Sequence, residues 1–120
     1  MKILCIDDSK AVHSFLKDCV EKVVTEFTSF YDGEDAILYF QKNPSTFDLI
    51  FLDWEMPKKT GPETLAELKK LGVKTPVFML TSKNAVEDIS KMLSLGATEY
   101  IMKPFTRDII LEKISFLSGF

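Results

Sequence analysis

The sequence predicts an α/β fold, a doubly wound five-stranded parallel sheet with helices on both faces. Short apolar runs alternate five times with stretches of helical periodicity. The apolar runs are continuous, which is typical of strands that are covered on both faces. The connections are only a few residues long, and right-handed crossovers then place helices on both sides of the sheet.

The first half of the chain contains three predicted strands and two predicted helices. A strand at 3–6 is followed by a helix that Ser9 is suited to cap. The apolar residues of this helix recur at spacings of three and four: Val12, Phe15, Leu16, Cys19, Val20 and Val23. Imperfect alternation at 26–31 predicts a strand nearer an edge of the sheet. Asp32 then caps a second helix, which ends near Asn43 and Pro44 because proline disfavours a helical residue before it. The apolar face of this helix consists of Ala36, Ile37 and Phe40.

The third strand, at 49–52, is followed by a helix that begins at Pro62 and ends at Gly72. Its inward residues are Leu65, Leu68 and Leu71. After a strand at 77–80, Asn84 and Glu87 resemble a capping box for a fourth helix that ends at Gly96. A strand at 100–102 precedes a last helix capped by Thr106. The apolar face of that helix is formed by Ile109, Ile110, Ile114 and Leu117.

The length and composition suit one domain. The 120 residues are 46% apolar and 28% charged, and the formal net charge is -3. A chain of this length buries roughly two-thirds of the surface that it exposes when unfolded. We expect a single domain over residues 1–120 with no output domain, because the last predicted helix uses the C-terminal residues.

The same composition argues against several classes of protein. A slightly acidic chain with no block of Lys or Arg does not suit a nucleic-acid binder that relies on phosphate contacts. Cys5 and Cys19 stand in apolar patterns, so we expect buried free thiols and no zinc site. Asp7 and Asp8 come too early for a signal-peptide core, and no apolar run approaches the ~20 residues of a membrane span. We therefore expect a cytoplasmic protein without a membrane partner.

Polar side chains follow four of the five predicted strands. Asp7 and Asp8 follow the first strand, Asp53 the third, Thr81 the fourth and Lys103 the fifth. In an open parallel sheet the carboxyl ends of the strands line the ligand crevice. Three carboxylates, a hydroxyl and an ammonium group are thus predicted to converge from four places in the sequence.

Carboxylates crowded at one sheet end repel one another and lose hydration unless a cation lies among them. A hard divalent cation with oxygen ligands, most simply Mg²⁺, offsets that cost and indicates phosphate chemistry. Lys103 can neutralise phosphoryl oxygens, or form a structural salt bridge to Asp53. Pro104 predicts a fixed turn, with a cis peptide bond as one form of it.

These motifs resemble those of the receiver domains of two-component response regulators, closest in type to stand-alone chemotaxis regulators similar to CheY. The resemblance covers Lys2 to about Leu117. It rests on Ile6-Asp7-Asp8-Ser9, Leu52-Asp53-Trp54-Glu55-Met56-Pro57, Gly61, Leu80-Thr81-Ser82, Gly96-Ala97 and Lys103-Pro104-Phe105. It implies a flavodoxin-like three-layer (βα)5 sandwich with strand order 2-1-3-4-5.

The resemblance also implies the roles of the site residues. Asp53 would accept a phosphoryl group, and Asp8, Asp53 and the main-chain carbonyl of Glu55 would contact Mg²⁺, with Asp7 acting chiefly through ordered water. Thr81 would bind the new phosphoryl group. The donor would be a phosphohistidine on a partner kinase, and the domain would hydrolyse its acyl phosphate slowly without being a turnover enzyme.

The family's switch has candidates as well. Movement of Thr81 would let Tyr100 turn inward and change the surface of the fourth helix, fifth strand and fifth helix, although Tyr100 also suits a packed strand aromatic. We further hypothesise that a salt bridge between Glu55 and Lys83 limits the access of water or of a phosphatase. His13 is interpreted as a surface histidine, away from the site.

Several functions remain open at this stage. We expect a single-domain regulator in chemotaxis, acting on a downstream target such as a flagellar motor switch. The alternative is a phosphorelay shuttle that passes phosphate to a histidine phosphotransfer protein. A flavin-binding module would need a Gly-rich, Ser-rich or Thr-rich loop where Asp7 and Asp8 stand. An aspartate phosphatase of the haloacid dehalogenase type would carry its nucleophile after the first strand, whereas Asp53 follows the third.

Overall fold

The computed structural model describes residues 1–43 and 47–117, and in these ranges strands and helices alternate as expected. The strands are β1 (Lys2–Ile6), β2 (Glu26–Phe30), β3 (Leu49–Asp53), β4 (Val77–Thr81) and β5 (Glu99–Met102). The helices are α1 (Lys10–Cys19), α2 (Gly33–Lys42), α3 (Gly61–Lys70), α4 (Val86–Ser94) and α5 (Arg107–Ser115). Asn43 follows α2 as its C-cap, and Pro44 lies outside the described residues.

All strand pairs are parallel, and the order in the sheet is β2-β1-β3-β4-β5. This confirms the predicted fold class, the strand order and the place of the weakest strand at an edge. The order reverses beside β1, so the carboxyl ends of β1 and β3 form the crevice at which such sheets bind ligands.

The sheet separates two apolar cores. On one face, α2, α3 and α4 cover a core that includes Ile6, Leu52 and Met79. On the other face, α1 and α5 cover a core that includes Cys5 and Phe51. Three of the five strands, β1, β3 and β4, run through buried positions because both of their faces are covered, as their continuous apolar runs predict. Cys5 and Cys19 are buried free thiols, as predicted.

Most predicted helix ends are confirmed. The side chains of Ser9, Asp32 and Thr106 accept hydrogen bonds from the first turns of α1, α2 and α5. Gly72 and Gly96 follow α3 and α4 with φ values of 80° and 106°, which glycine adopts at little cost.

The predicted capping box of α4 is wrong. Ala85 is the N-cap residue, and no side chain caps the helix, so Asn84 and Glu87 do not act as a pair. A capping box does form one helix earlier, where Thr60 and Glu63 bond to each other's main-chain N–H groups at the start of α3.

Several residues expected on apolar helix faces are more than a third exposed. They are Phe15, Val23, Leu71 and Ile109. Val23 lies beyond the end of α1, because the helix stops at Cys19 and the chain continues through turns into β2. In the described ranges, no helix combines the length and the apolar character that a bilayer crossing requires.

Candidate functional site

Strand register brings the predicted acidic residues together. Ile6 of β1 lies opposite Leu52 of β3, so the residues that follow them, Asp7 and Asp53, end neighbouring strands side by side. Carboxylate oxygens of Asp7, Asp8 and Asp53 all lie within 4.8 Å of one another. Asp7 and Asp53 are buried and Asp8 is exposed. The cluster therefore opens to solvent on the Asp8 side.

Lys103 reaches this cluster from the end of β5. Its Nζ donates to Oδ1 of Asp53 at 2.9 Å and to Oδ2 of Asp7 at 3.2 Å. The peptide bond between Lys103 and Pro104 is cis. The salt bridge to Asp53 that was one predicted role of Lys103 is thus present. The ammonium group is also close enough to contact a phosphoryl group carried by Asp53.

The electrostatics of the cluster follow from its burial. Burial raises the pKa of Asp53 from 3.8 to about 7, against a hydrogen bond from Lys103 that lowers it, and the charge of Asp7 adds to the rise. Burial also raises the pKa of Asp7, although the main-chain N–H of Ser9 opposes this effect. Burial disfavours the charged form of Lys103, but Asp53 and Asp7 outweigh it and the net pKa is raised. One ammonium group thus leaves the buried carboxylates undercompensated.

Thr81 and its neighbours form the other wall of the site. The Thr81 hydroxyl donates to Oε1 of Glu55 at 3.2 Å and accepts from the main-chain N–H of Lys83 at 3.0 Å. The Nζ of Lys83 lies 5.5 Å from the ring centroid of Trp54. The hypothesised salt bridge between Glu55 and Lys83 is absent, because Glu55 is engaged by Thr81 and Lys83 by Trp54. The hydroxyl of Tyr100 donates to the main-chain carbonyl of Lys83, which links β5 to this wall.

Gly61 fixes the segment that follows Asp53. Its main-chain N–H donates to the Trp54 carbonyl at 2.8 Å, and a Cβ at this position would lie 2.4 Å from the Asp53 carbonyl oxygen. Only glycine fits this close approach of two backbones. A lone glycine before a helix in the sequence gave no sign of this contact.

His13 does not lie on the surface as interpreted from the sequence. It is 5% exposed, and its ring lies between the end of β1 and β2. Nε2 is 2.7 Å from the Asp7 carbonyl oxygen, and Nδ1 is 2.7 Å from the Ser29 hydroxyl. The spacing of three from His13 to Leu16, which is buried on the same helix face, was the signal that could have revealed its burial.

The donor set suits a hard divalent cation. Oxygen ligands on converging carboxylates are what Mg²⁺ prefers, and its charge would offset the repulsion that the lysine leaves uncompensated. The exposed Asp8 leaves an aqueous side on which such an ion could keep water ligands. The residues present therefore fit the ion that the acidic pattern predicts.

The family model of the response regulator receiver domain matches residues 3–115. The chain belongs to the receiver domain family. This receiver is 32% identical over 121 residues to the transcriptional regulatory protein CiaR of Streptococcus pneumoniae, which covers 98% of this chain and 51% of CiaR. The chain spans about half the length of the curated relatives that it matches. This partial coverage does not test the expectation that the protein lacks an output domain.

Solved receivers have the same fold. The receiver domain of the Francisella response regulator 1452 is 31% identical, with a TM-score of 0.85 over 95% of this chain and 93% of that one. The chemotaxis protein CheY4 of Vibrio cholerae is 28% identical, with a TM-score of 0.82 over 95% of each chain. The resemblance to receivers is thus confirmed. The chemotaxis role is not, because CiaR is a transcriptional regulator by name and CheY4 a chemotaxis protein.

Proposed function

We propose that this receiver accepts a phosphoryl group on Asp53 from a phosphohistidine of a partner kinase, in a reaction that depends on Mg²⁺. The observation that supports the proposal is the convergence of Asp53 with Asp7, Asp8 and the Lys103 ammonium group at one sheet end. A buried carboxylate with two further carboxylates and a cation around it suits nucleophilic attack on phosphorus. A flavin-binding module is disfavoured, because the carboxylates of Asp7 and Asp8 would repel the phosphate of the flavin.

The chemistry follows from the positions of these side chains. An oxygen of Asp53 attacks phosphorus in line as the phosphorus–nitrogen bond of the donor breaks, and the imidazole nitrogen leaves with the electron pair and takes a proton from water. Lys103, now 2.9 Å from Asp53, moves its hydrogen bond to a phosphoryl oxygen. Asp7, Asp8, Asp53 and the Glu55 carbonyl would hold Mg²⁺. When bound, Mg²⁺ supplies positive charge at the phosphoryl oxygens.

The product is an acyl phosphate on Asp53. Water later hydrolyses it, which releases inorganic phosphate and restores the carboxylate. The protein is then a phospho-acceptor that assists its own modification, and no substrate is turned over. The family membership supports this proposal over that of an aspartate phosphatase, because the nucleophile follows β3 and not β1.

Thr81 and Tyr100 are the proposed switch. The Thr81 hydroxyl now donates to Glu55, an exposed acid that a phosphoryl group can replace as the acceptor. When Thr81 turns to the phosphoryl group, the wall it shares with Lys83 shifts, and Tyr100 loses its partner there. The signal would leave through the surface of α4, β5 and α5.

The output of this switch is proposed to be a protein contact with a downstream target. Similarity to CheY4 supports a chemotaxis target such as a flagellar motor switch, whereas similarity to CiaR supports control of transcription. A phosphorelay shuttle would use the same site and pass the phosphoryl group to a histidine phosphotransfer protein. Transfer of phosphate from Asp53 to such a protein in vitro separates the shuttle from the other two.

The phosphorylation proposal is tested with acetyl phosphate and Mg²⁺. Intact mass spectrometry should show one added phosphoryl group on the wild type and on Asp18→Asn, a matched change at an exposed acid of α1. Asp53→Asn should show none, and EDTA should prevent labelling of the wild type. Equal labelling of Asp53→Asn would refute the proposal.

A further inference from the structure

The acidic cluster depends on the peptide unit that joins Asp7 to Asp8. At Asp7, the main-chain N–H donates to the Phe30 carbonyl of β2 at 3.2 Å. Its side chain accepts from the Ser9 N–H at 2.8 Å and from Lys103 at 3.2 Å. The remaining polar atom, the carbonyl oxygen, accepts from His13 at 2.7 Å. This carbonyl defines the plane of the Asp7–Asp8 peptide and hence the direction in which Asp8 leaves β1.

The hydrogen bonds fix the tautomer of the His13 ring. A carbonyl oxygen only accepts, so Nε2 carries the hydrogen and donates it to Asp7. In the neutral ring Nδ1 is then an acceptor, and the Ser29 hydroxyl donates to it. The ring also packs on Tyr31, with 4.5 Å between ring centroids. The His13 ring is therefore fixed by Ser29 of β2, and it in turn bonds to the Asp7 carbonyl at the end of β1.

We propose that His13 is a positioning residue for the acidic cluster, which sets the direction of Asp7 and Asp8 toward the cation through the Asp7 carbonyl. This inference rests on the proposed function. Without the Nε2–H donor the buried carbonyl has no partner, and the peptide rotates to find water. Asp8, which is exposed and has no strand to hold it, then loses its alignment with Asp53.

Two substitutions of similar size separate this role from packing. His13→Met fills the space with a flexible apolar side chain that lacks a donor, whereas His13→Gln retains an N–H group. Leu16→Ala is the matched control, because Leu16 is fully buried on the same helix and contacts the α1 and α5 core away from the cluster. The chain has one tryptophan, Trp54, next to Asp53, so we expect its fluorescence to change when Mg²⁺ binds.

His13→Met should weaken Mg²⁺ binding about fivefold to tenfold and slow labelling by acetyl phosphate by a similar factor. His13→Gln should remain within about threefold of the wild type. Leu16→Ala should unfold at lower temperature than the wild type yet bind Mg²⁺ with unchanged affinity. Equal Mg²⁺ affinity in folded His13→Met and wild type would overturn the proposal.

A measurement on the wild type keeps the proposal falsifiable if His13→Met does not fold. His13 is the one histidine of the chain, so its ring nitrogen signals in NMR spectra are unambiguous. They should show hydrogen on Nε2, and Mg²⁺ should shift them along the same binding curve as the Trp54 fluorescence. Ring signals that stay unchanged through the titration would overturn the proposal. A wild type that neither binds Mg²⁺ nor takes up phosphate would instead refute the proposed function.

Discussion

The substitution Asp53→Asn should stabilise the protein in the absence of metal. Burial raises the pKa of Asp53 from 3.8 to about 7, and each pKa unit corresponds to about 1.4 kcal/mol. The ionised carboxylate therefore lowers the free energy of unfolding by up to about 4 kcal/mol at pH 8. Asparagine removes the charge and keeps an oxygen that can accept from Lys103, which also retains Asp7. Because the amide is itself polar and buried, we expect a gain of roughly 2–4 kcal/mol.

The stability gained by Asp53→Asn should increase with pH, because the pKa of Asp53 is raised in the folded state. Between about pH 4 and pH 7 the folded state binds more protons at Asp53 than the unfolded state does. The free energy of unfolding of the wild type therefore falls as the pH rises through this window, and that of Asp53→Asn lacks this contribution. The advantage of the variant should be small near pH 4 and reach its full size above pH 7.

Urea denaturation followed by circular dichroism, with EDTA at pH 5 and pH 8, measures this difference. Mg²⁺ at a hundredfold excess over its dissociation constant should then stabilise the wild type by about 2.7 kcal/mol and Asp53→Asn by much less. Asp18→Asn controls for the loss of one negative charge from the whole chain. If Asp53→Asn were less stable than the wild type at pH 8, this would refute the argument that burial of the ionised carboxylate destabilises the folded protein.

Three further outcomes are expected. Gly61→Ala should lower the free energy of unfolding by at least about 2 kcal/mol, because the new Cβ would lie 2.4 Å from the Asp53 carbonyl oxygen. Gly72→Ala should lower it by about 1 kcal/mol, because Gly72 has a φ of 80° but open space around it. A larger loss for Gly72→Ala than for Gly61→Ala in urea denaturation would contradict this. Lys103→Met should slow labelling by acetyl phosphate by about a hundredfold, and a loss under threefold refutes its electrostatic role. Thr81→Ala should still be labelled, but the NMR signals of Tyr100 should no longer shift on phosphorylation; an unchanged shift excludes Thr81 as the link.

Much of the fold could be predicted because parallel strands leave a strong pattern. The runs at 3–6, 49–52 and 77–80 are apolar at every position since both faces of the sheet are covered. Once the strands are parallel, the residues after them must share one edge. The meeting of Asp7 and Asp53 therefore followed from topology, with no knowledge of any side-chain contact.

The errors arise where a residue depends on distant partners. His13 is polar, and nothing local to α1 shows that the Asp7 carbonyl and Ser29 satisfy its ring. The sequence near Asn84 suits a cap, but the chain reaches α4 through Ala85 in extended geometry. Glu55 and Lys83 are opposite charges that could pair, yet Glu55 accepts from Thr81 and Lys83 lies over the ring of Trp54. Such choices depend on the assembled tertiary structure.

The hydrogen bond between Lys103 and Asp7 joins residues 96 positions apart in the sequence. A chain emerging from the ribosome exposes Asp53 before it has made the strand that delivers the lysine. Until β5 adds to the edge of the sheet, Asp53 lacks the ammonium group of Lys103, and on the proposed function we expect its phosphorylation to be slow. On the proposed function, we therefore expect that the domain can be phosphorylated only once the sheet is complete, and that chains truncated before β5 remain unlabelled.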